Sequence, residues 1–434
     1  MEGALGVVRL NREHKSNLLT PGFTKQVARG VETMYIDHSV SVIYLGAAEG
    51  QHFSSGTDFR TMLRYKAEQQ HEKLADFMAD VFKLQASFAK INKPIMTVAP
   101  GHCFNSGLGL LAASSYPTIC YNTRVAFNEC TFGFTPHAGS TYYAQRLPGD
   151  FGTFLVLTGT PISGMDAIRL GLADALVERP KGYEGDVAAI VRAMEPWALP
   201  DARREHGLGA AAHRDAEIYD THYETEAAFR AWQNDEVLEG EVNEFRRRVG
   251  HQAHGELFVD PRDRRADPLA QADLEFRGML RQHNRDNYGM GNDRGYFDHK
   301  HTNFNQFATV QGWVRTHTGD EYTEDLVKSL LQHQQLIDRC FWPDSVEHIM
   351  ENLRRETSPI AKDFLSRMES NSMTSMKIAL KMLRQARNMC FGQVLKMELN
   401  VALNKVMDED FELGVKQVLM KPKATKIDTI NGQR

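Results

Sequence analysis

The sequence predicts an α/β core with a helical C-terminal region and a long central insertion, and three observations predict it. From Gly6 to about Val177, short apolar runs alternate with longer amphipathic stretches, the pattern of partly parallel strands joined by helices. Two of those runs are followed by turns of small residues, where ligand sites on parallel sheets lie. From Leu326 onward only the three-to-four-residue spacing of helices remains. The resulting division is a core at 1–180, a partly irregular insertion with an interaction role at 181–325, the helical region at 326–421 and a basic tail at 422–434.

The elements follow in order. GVVRL, from Gly6, reads as the first strand, the stretch around Phe23 to Met34 as a helix, and SVIYLG, from Ser41, as the second strand. Glu72 to Ala89 carries helical spacing, and the run Pro94 to Ala99 is a strand that ends in a glycine-containing turn. Between about Asp201 and Asp320 charge is scattered, in clusters such as RRRVGH and DPRDRRADP, and sustained apolar runs are few. Such a segment has too little periodic apolar surface for a core of its own and is expected to be extended or packed on something else. Its aromatics Tyr288, Tyr296, Phe297, Phe304, Phe307 and Trp313 are the expected anchors. Met376, Leu380, Leu383, Cys390, Val394, Met397 and Val401 mostly recur every three or four residues and predict one apolar helical face, capped by Ser375 or Thr374.

Composition removes several classes. A chain of 434 residues has room for two or three domains at about 150 residues each. With 42% hydrophobic and 25% charged residues it is neither disordered nor fibrous as a whole. No apolar run reaches the roughly 18 residues of a membrane span. The 51 Lys and Arg against 56 Asp and Glu leave a net charge of −5, which argues against a protein that wraps nucleic acid electrostatically. The odd count of 5 Cys, without a CxxC pair, suggests neither a disulfide framework nor a zinc ribbon and fits a reducing compartment. Val7, Val8 and Leu10 read as a strand rather than a targeting signal, as in a cytosolic chain or one whose presequence has been removed. The Asp298-His299-Lys300-His301 cluster lacks a clear third ligand, so no metal is expected.

Three segments carry the candidate chemistry. HFSSGTDF (52–59) and GHCFNSGLGL (101–110) each place small residues at a strand-to-helix junction, where backbone N–H groups and a helix's positive end can face a negative oxygen. Side by side they would form an oxyanion hole; singly they are ordinary Gly/Ser turns, and Asp58 reads as a helix cap. The third, RVAFNECTFGFTPHAGSTYYAQRLPG (124–149), holds Glu129 in apolar surroundings.

These segments in this order resemble the crotonase, or enoyl-CoA hydratase/isomerase, superfamily, and within it the 3-hydroxyisobutyryl-CoA hydrolases. LTGTPISGMDAIRLGLADALV (157–177), CFWPDSVEHIMENL (340–353), SMTSMKIALKML (372–383) and DFELGVKQVL (410–419) carry the same resemblance. It implies a crotonase-like spiral of ββα turns that binds a CoA thioester. It also implies an oxyanion hole from the N–H groups at Thr57 and Ser106, and a glutamate and an acid at the positions of Glu129 and His137. The chain departs from that pattern. A-G-G-D is Ser55-Gly56-Thr57-Asp58, M-G-G-G is Phe104-Asn105-Ser106-Gly107, and the acid of F-P-D is His137.

One lost oxyanion donor costs about 10²–10³ in rate, and lost acid/base assistance roughly another 10²–10⁴. Changes in all three segments therefore predict an inactive descendant with no cofactor, Glu129 and His137 being vestigial. The resemblance extends to a hydrolase-like branch that serves in the small subunit of mitochondrial ribosomes. It implies a location in the mitochondrial matrix and mitochondrial ribosomal proteins as partners, with no membrane contact. Ribosomal RNA would be touched, if at all, at patches such as Arg246, Arg247 and Arg248 or Arg264 and Arg265. The alternative is a working acyl-CoA thioester hydrolase using Glu129 and His137.

Overall fold

The computed structural model describes residues 4–47, 52–91, 93–177, 236–252 and 330–419. Its centre is a five-stranded, all-parallel sheet in the order β1-β2-β3-β5-β8: β1 (Ala4–Leu10), β2 (Val40–Ala47), β3 (Ile95–Ala99), β5 (Tyr116–Cys120) and β8 (Ala175–Val177). A three-stranded sheet stands beside it, β4 (His102–Phe104) parallel to β6 (Arg124–Ala126), and β6 antiparallel to β7 (Ile162–Ser163). The chain passes from β3 to β4 through Gly101, and from β5 to β6 through residues 121–123, so one strand of each ββα turn joins each sheet. The α/β core with parallel strands predicted from the alternation is observed, and its ββα turns are those the resemblance implies.

Alternation along the large sheet separates two apolar clusters, because successive strand residues face opposite sides. Val8, Leu10, Ile43, Leu45, Ile95, Ala99 and Ile119 enter the main core. Tyr44, Met96, Val98, Cys120 and Val177 form a smaller cluster on the other face. Helices α1 (Pro21–Ile36), α2 (Phe59–Ala67), α3 (His71–Lys90), α4 (Ser106–Ala112), α5 (Ser140–Gln145), α6 (Phe151–Thr158) and α7 (Gly164–Arg169) complete this half. Four cysteines are buried, and burial pushes the Cys340 thiol up to about 11.

Within the insertion, α8 (Glu236–Gln252) is a regular helix that packs on α3. Its Leu238, Val242 and Phe245 recur on one face and are buried. The dense charge between them hid this periodicity from a reading by composition. The insertion's aromatics, the 298–301 cluster, Arg264 and Arg265 lie outside the described residues, as does the tail at 422–434.

The C-terminal region is α9 (Gln334–Phe341), α10 (Val346–Arg355), α11 (Pro359–Ser370), α12 (Met373–Gln385), α13 (Phe391–Lys405) and α14 (Glu409–Leu419). The single apolar face expected from Met376 to Val401 is two helices, divided at Ala386–Asn388 by a 3-10 turn. The cap of α12 is Ser372, whose hydroxyl accepts the Ser375 N–H; Ser375 and Thr374 are already inside the helix. Cys390 is the N-cap of α13, not part of its buried face. Among the described residues no helix is long and apolar enough to cross a membrane.

Candidate functional site

The first turn is shaped by Gly56, whose φ of +85° and whose place against the Phe104 carbonyl, 2.7 Å from where a Cβ would sit, exclude a side chain. Asp58 caps α2 as expected, accepting the Arg60 N–H at 3.2 Å. Asp58→Ala should lower stability by about 1 kcal/mol, read from the denaturation midpoint, and leave the α2 sequence otherwise tolerant.

The second turn keeps a backbone suited to glycine although asparagine is there: Asn105 has φ +51° and ψ −124°. Such a conformation costs of order 1–3 kcal/mol and persists only when its surroundings hold it. Here the Asn105 side-chain oxygen accepts the Asn128 N–H at 3.2 Å, tying the second turn to the third segment. Gly107 remains glycine because a Cβ there would lie 2.8 Å from Ser54.

The structure brings all four predicted positions together. The Thr57 hydroxyl lies 2.9 Å from that of Ser106 and 2.8 Å from Nε2 of His137. Nδ1 of His137 faces Oε1 of Glu129 at 3.4 Å, and Ser140 donates its hydroxyl to the same carboxylate oxygen at 3.1 Å. Thr57, Ser106, Glu129 and His137 are each at most 2% exposed. Phe59 and Phe134 stand against the imidazole, and Phe411 of α14 packs on both. Neither the Thr57 nor the Ser106 N–H donates to an acceptor among the described residues. Replacing glycines therefore left both backbone donors in place and put a hydroxyl between the two turns. Among the described residues no cluster of three or more His, Cys, Asp or Glu suits a metal.

Sequence reasoning missed Glu398. This carboxylate on α13 accepts the Gly139 N–H at 2.6 Å and the Thr141 N–H at 2.7 Å, at the first turn of α5. Burial pushes it up to about 7, against those hydrogen bonds and the nearby His137, which pull it down. An acid four residues after Val394 on an otherwise apolar helical face was the available signal.

The three arginines at 246–248 lie on α8 and are matched locally. Arg246 pairs with Glu72 and Asp76, Arg247 with Glu244, and Arg248 with Glu244 and the Asn404 side chain. Arg246 and Arg248 bind α8 to its neighbours, whereas Arg247 is paired within α8 and exposed.

The sequence profile described as enoyl-CoA hydratase/isomerase matches residues 5–231 and 296–426, most of the chain. The chain belongs to that family. Among curated members, the mitochondrial 3-hydroxyisobutyryl-CoA hydrolase of Mus musculus is 22% identical over 418 residues, 96% of this chain and 80% of that protein. The mitochondrial enzyme of the same name from Xenopus laevis is 29% identical over 191 residues, 43% of this chain and 49% of that protein. A carnitinyl-CoA dehydratase from Mycobacterium thermoresistibile shares the fold, with a TM-score of 0.60 at 19% identity, over 96% of this chain and 88% of the other. The hydrolase likeness thus runs through the C-terminal helices and is not confined to the spiral common to the family.

Proposed function

We propose that this enoyl-CoA hydratase/isomerase family member is a hydrolase-like protein that no longer turns over thioesters and serves as a structural component of the small subunit of the mitochondrial ribosome. One observation carries the loss of turnover. The Thr57 hydroxyl lies between the two turns, hydrogen-bonded to Ser106 and His137, and all three are buried. A substrate carbonyl oxygen must displace that side chain before it reaches the N–H groups, and no carboxylic acid stands at position 137 to assist. The ribosomal part rests on the likeness to hydrolase-like proteins in both halves of the chain, with residues 232–295 outside the family match. Its partners are then mitochondrial ribosomal proteins and, at basic patches such as Arg264 and Arg265, rRNA phosphates; its compartment is the matrix.

The test is sedimentation of a matrix lysate. The chain should travel with small subunits and remain there at salt that strips loosely held proteins; a free peak near its own mass of 49.1 kDa would sink the proposal. Purified chain mixed with 3-hydroxyisobutyryl-CoA should release no more than one equivalent of CoA. Sustained release that vanishes in Glu129→Gln would instead establish the second reading, an active acyl-CoA thioester hydrolase. That reading is favoured by Glu129 itself, buried with Oε2 free of any hydrogen bond.

A further inference from the structure

The hydroxyl that stands between the two turns is itself hydrogen-bonded to a base, Nε2 of His137, at 2.8 Å. A hydroxyl hydrogen-bonded to an imidazole, with donors facing the place where negative charge would develop, is the general arrangement for covalent acyl transfer; here the carboxylate of Glu129 lies 3.4 Å from Nδ1 without a hydrogen bond to it. Nδ1 and Nε2 lie on opposite sides of the ring, so His137 stands between Glu129, at 3.4 Å, and Thr57, at 2.8 Å. The Thr57 N–H lies on the nucleophile's own residue and the Ser106 N–H on the adjoining turn, and neither is engaged among the described residues. Two such donors suffice for an oxyanion. Ser140 donates to the Glu129 carboxylate oxygen that faces the ring.

We propose that Thr57 is an acyl acceptor for small acyl thioesters. Its hydroxyl oxygen attacks the thioester carbonyl while Nε2 of His137 takes the hydroxyl proton. The tetrahedral oxyanion rests on the two N–H groups. The C–S bond then breaks, the imidazolium returns the proton to the departing thiolate, and the products are a Thr57 ester and free thiol. Glu129 is a positioning residue that stabilises the imidazolium. The inference goes beyond the scaffold role, because one transfer per chain requires no turnover, and it differs from the hydrolase reading in the atom that bears the acyl group.

Purified full-length chain is incubated with acetyl-CoA, and intact and peptide masses are read before and after hydroxylamine. One hydroxylamine-labile acetyl group per chain, mapped to Thr57, is expected. Thr57→Val, which keeps the branched shape, should abolish it, Thr57→Ser should retain it, and His137→Asn should slow it by about 10²–10⁴. Glu129→Gln should shift the pH profile of ester formation without moving the acceptor. Absence of a labile adduct in the native chain, an adduct on Glu129, or equal labelling of Thr57→Val would each overturn the proposal. Co-sedimentation of Thr57→Val with small subunits should be unchanged, so failure of this inference and failure of the ribosomal proposal are separately visible.

Discussion

Replacing Gly133 by alanine is expected to detach α14 from the site and lower the melting temperature by about 2–5 °C. Gly133 closes the 3-10 turn that begins at Glu129, with φ +66°, and a Cβ there would lie 2.0 Å from the Asp410 carbonyl oxygen. The approach is mutual, since a Cβ on Gly414 would meet the Phe132 backbone at 2.3 Å. Backbone faces backbone, and neither side can turn aside as a flexible side chain would. Left-handed strain for a residue with a Cβ costs about 1–2 kcal/mol, and overpacking typically another 1–3. Unfolding entropy of about 2.1 cal/mol/K per residue over 434 residues makes 1 kcal/mol worth about 1 °C, so the two together give a shift of about 2–5 °C. Gly171→Ala separates them: Gly171 has φ +77° with nothing within 4 Å, so that variant should show the strain alone. Limited proteolysis of Gly133→Ala should cut near Glu409 earlier than in the parent chain. Equal melting of the two variants would mean that α14 does not rest on the turn as described.

Glu398 should set a pH dependence of stability opposite to that of ordinary carboxylates. Its ordinary value is 4.5 and burial raises it to about 7, so between those values the folded chain holds a proton that the unfolded chain has lost. Stability then falls as pH rises through that window, and the full difference is about 3 kcal/mol. Several exposed acids act in the other sense; Glu347, hydrogen-bonded to Lys377, lies near 2. The comparison that isolates Glu398 is therefore the parent chain against Glu398→Gln, by chemical denaturation from pH 4.5 to 8. The glutamine variant should be less stable at pH 5 by about 1–3 kcal/mol, because its amide cannot accept both N–H groups, and its disadvantage should shrink towards pH 8. Glu398→Ala should be worse at every pH, by roughly 3–5 kcal/mol, with two buried donors unpaired and a cavity where the side chain was. Parallel pH curves for parent and glutamine variant would show that Glu398 does not titrate in this window.

The α/β core was legible because its signals are local. Apolar alternation in GVVRL and SVIYLG, and the helical stretch at 72–89, correspond to β1, β2 and α3 within a few residues. The four site positions Thr57, Ser106, Glu129 and His137 were legible through resemblance, not through spacing, since up to 80 residues separate Thr57 from its hydrogen-bond partner His137. Residue substitutions alone suggested that the oxyanion turns had lost their geometry. In the structure Asn105 holds φ +51°, and the N–H groups of Thr57 and Ser106 have no acceptor among the described residues, with the Thr57 hydroxyl between the two turns.

What the amino-acid sequence determined by itself is the α/β class, the strands and helices at 6–10, 23–34, 41–46, 72–89 and 94–99, and the cap at Asp58, each set by neighbours a few residues away. Tertiary structure alone decided that α8 belongs to the core, that the C-terminal helical face breaks at Ala386, and that Glu398 reaches the first turn of α5. It also decided that a threonine hydroxyl meets an imidazole where glycine would have left room. The physical reason is distance along the chain. Periodicity and capping are written in adjacent residues, whereas a hydrogen bond between Thr141 and Glu398 spans 257 positions and exists only once the two helices are packed.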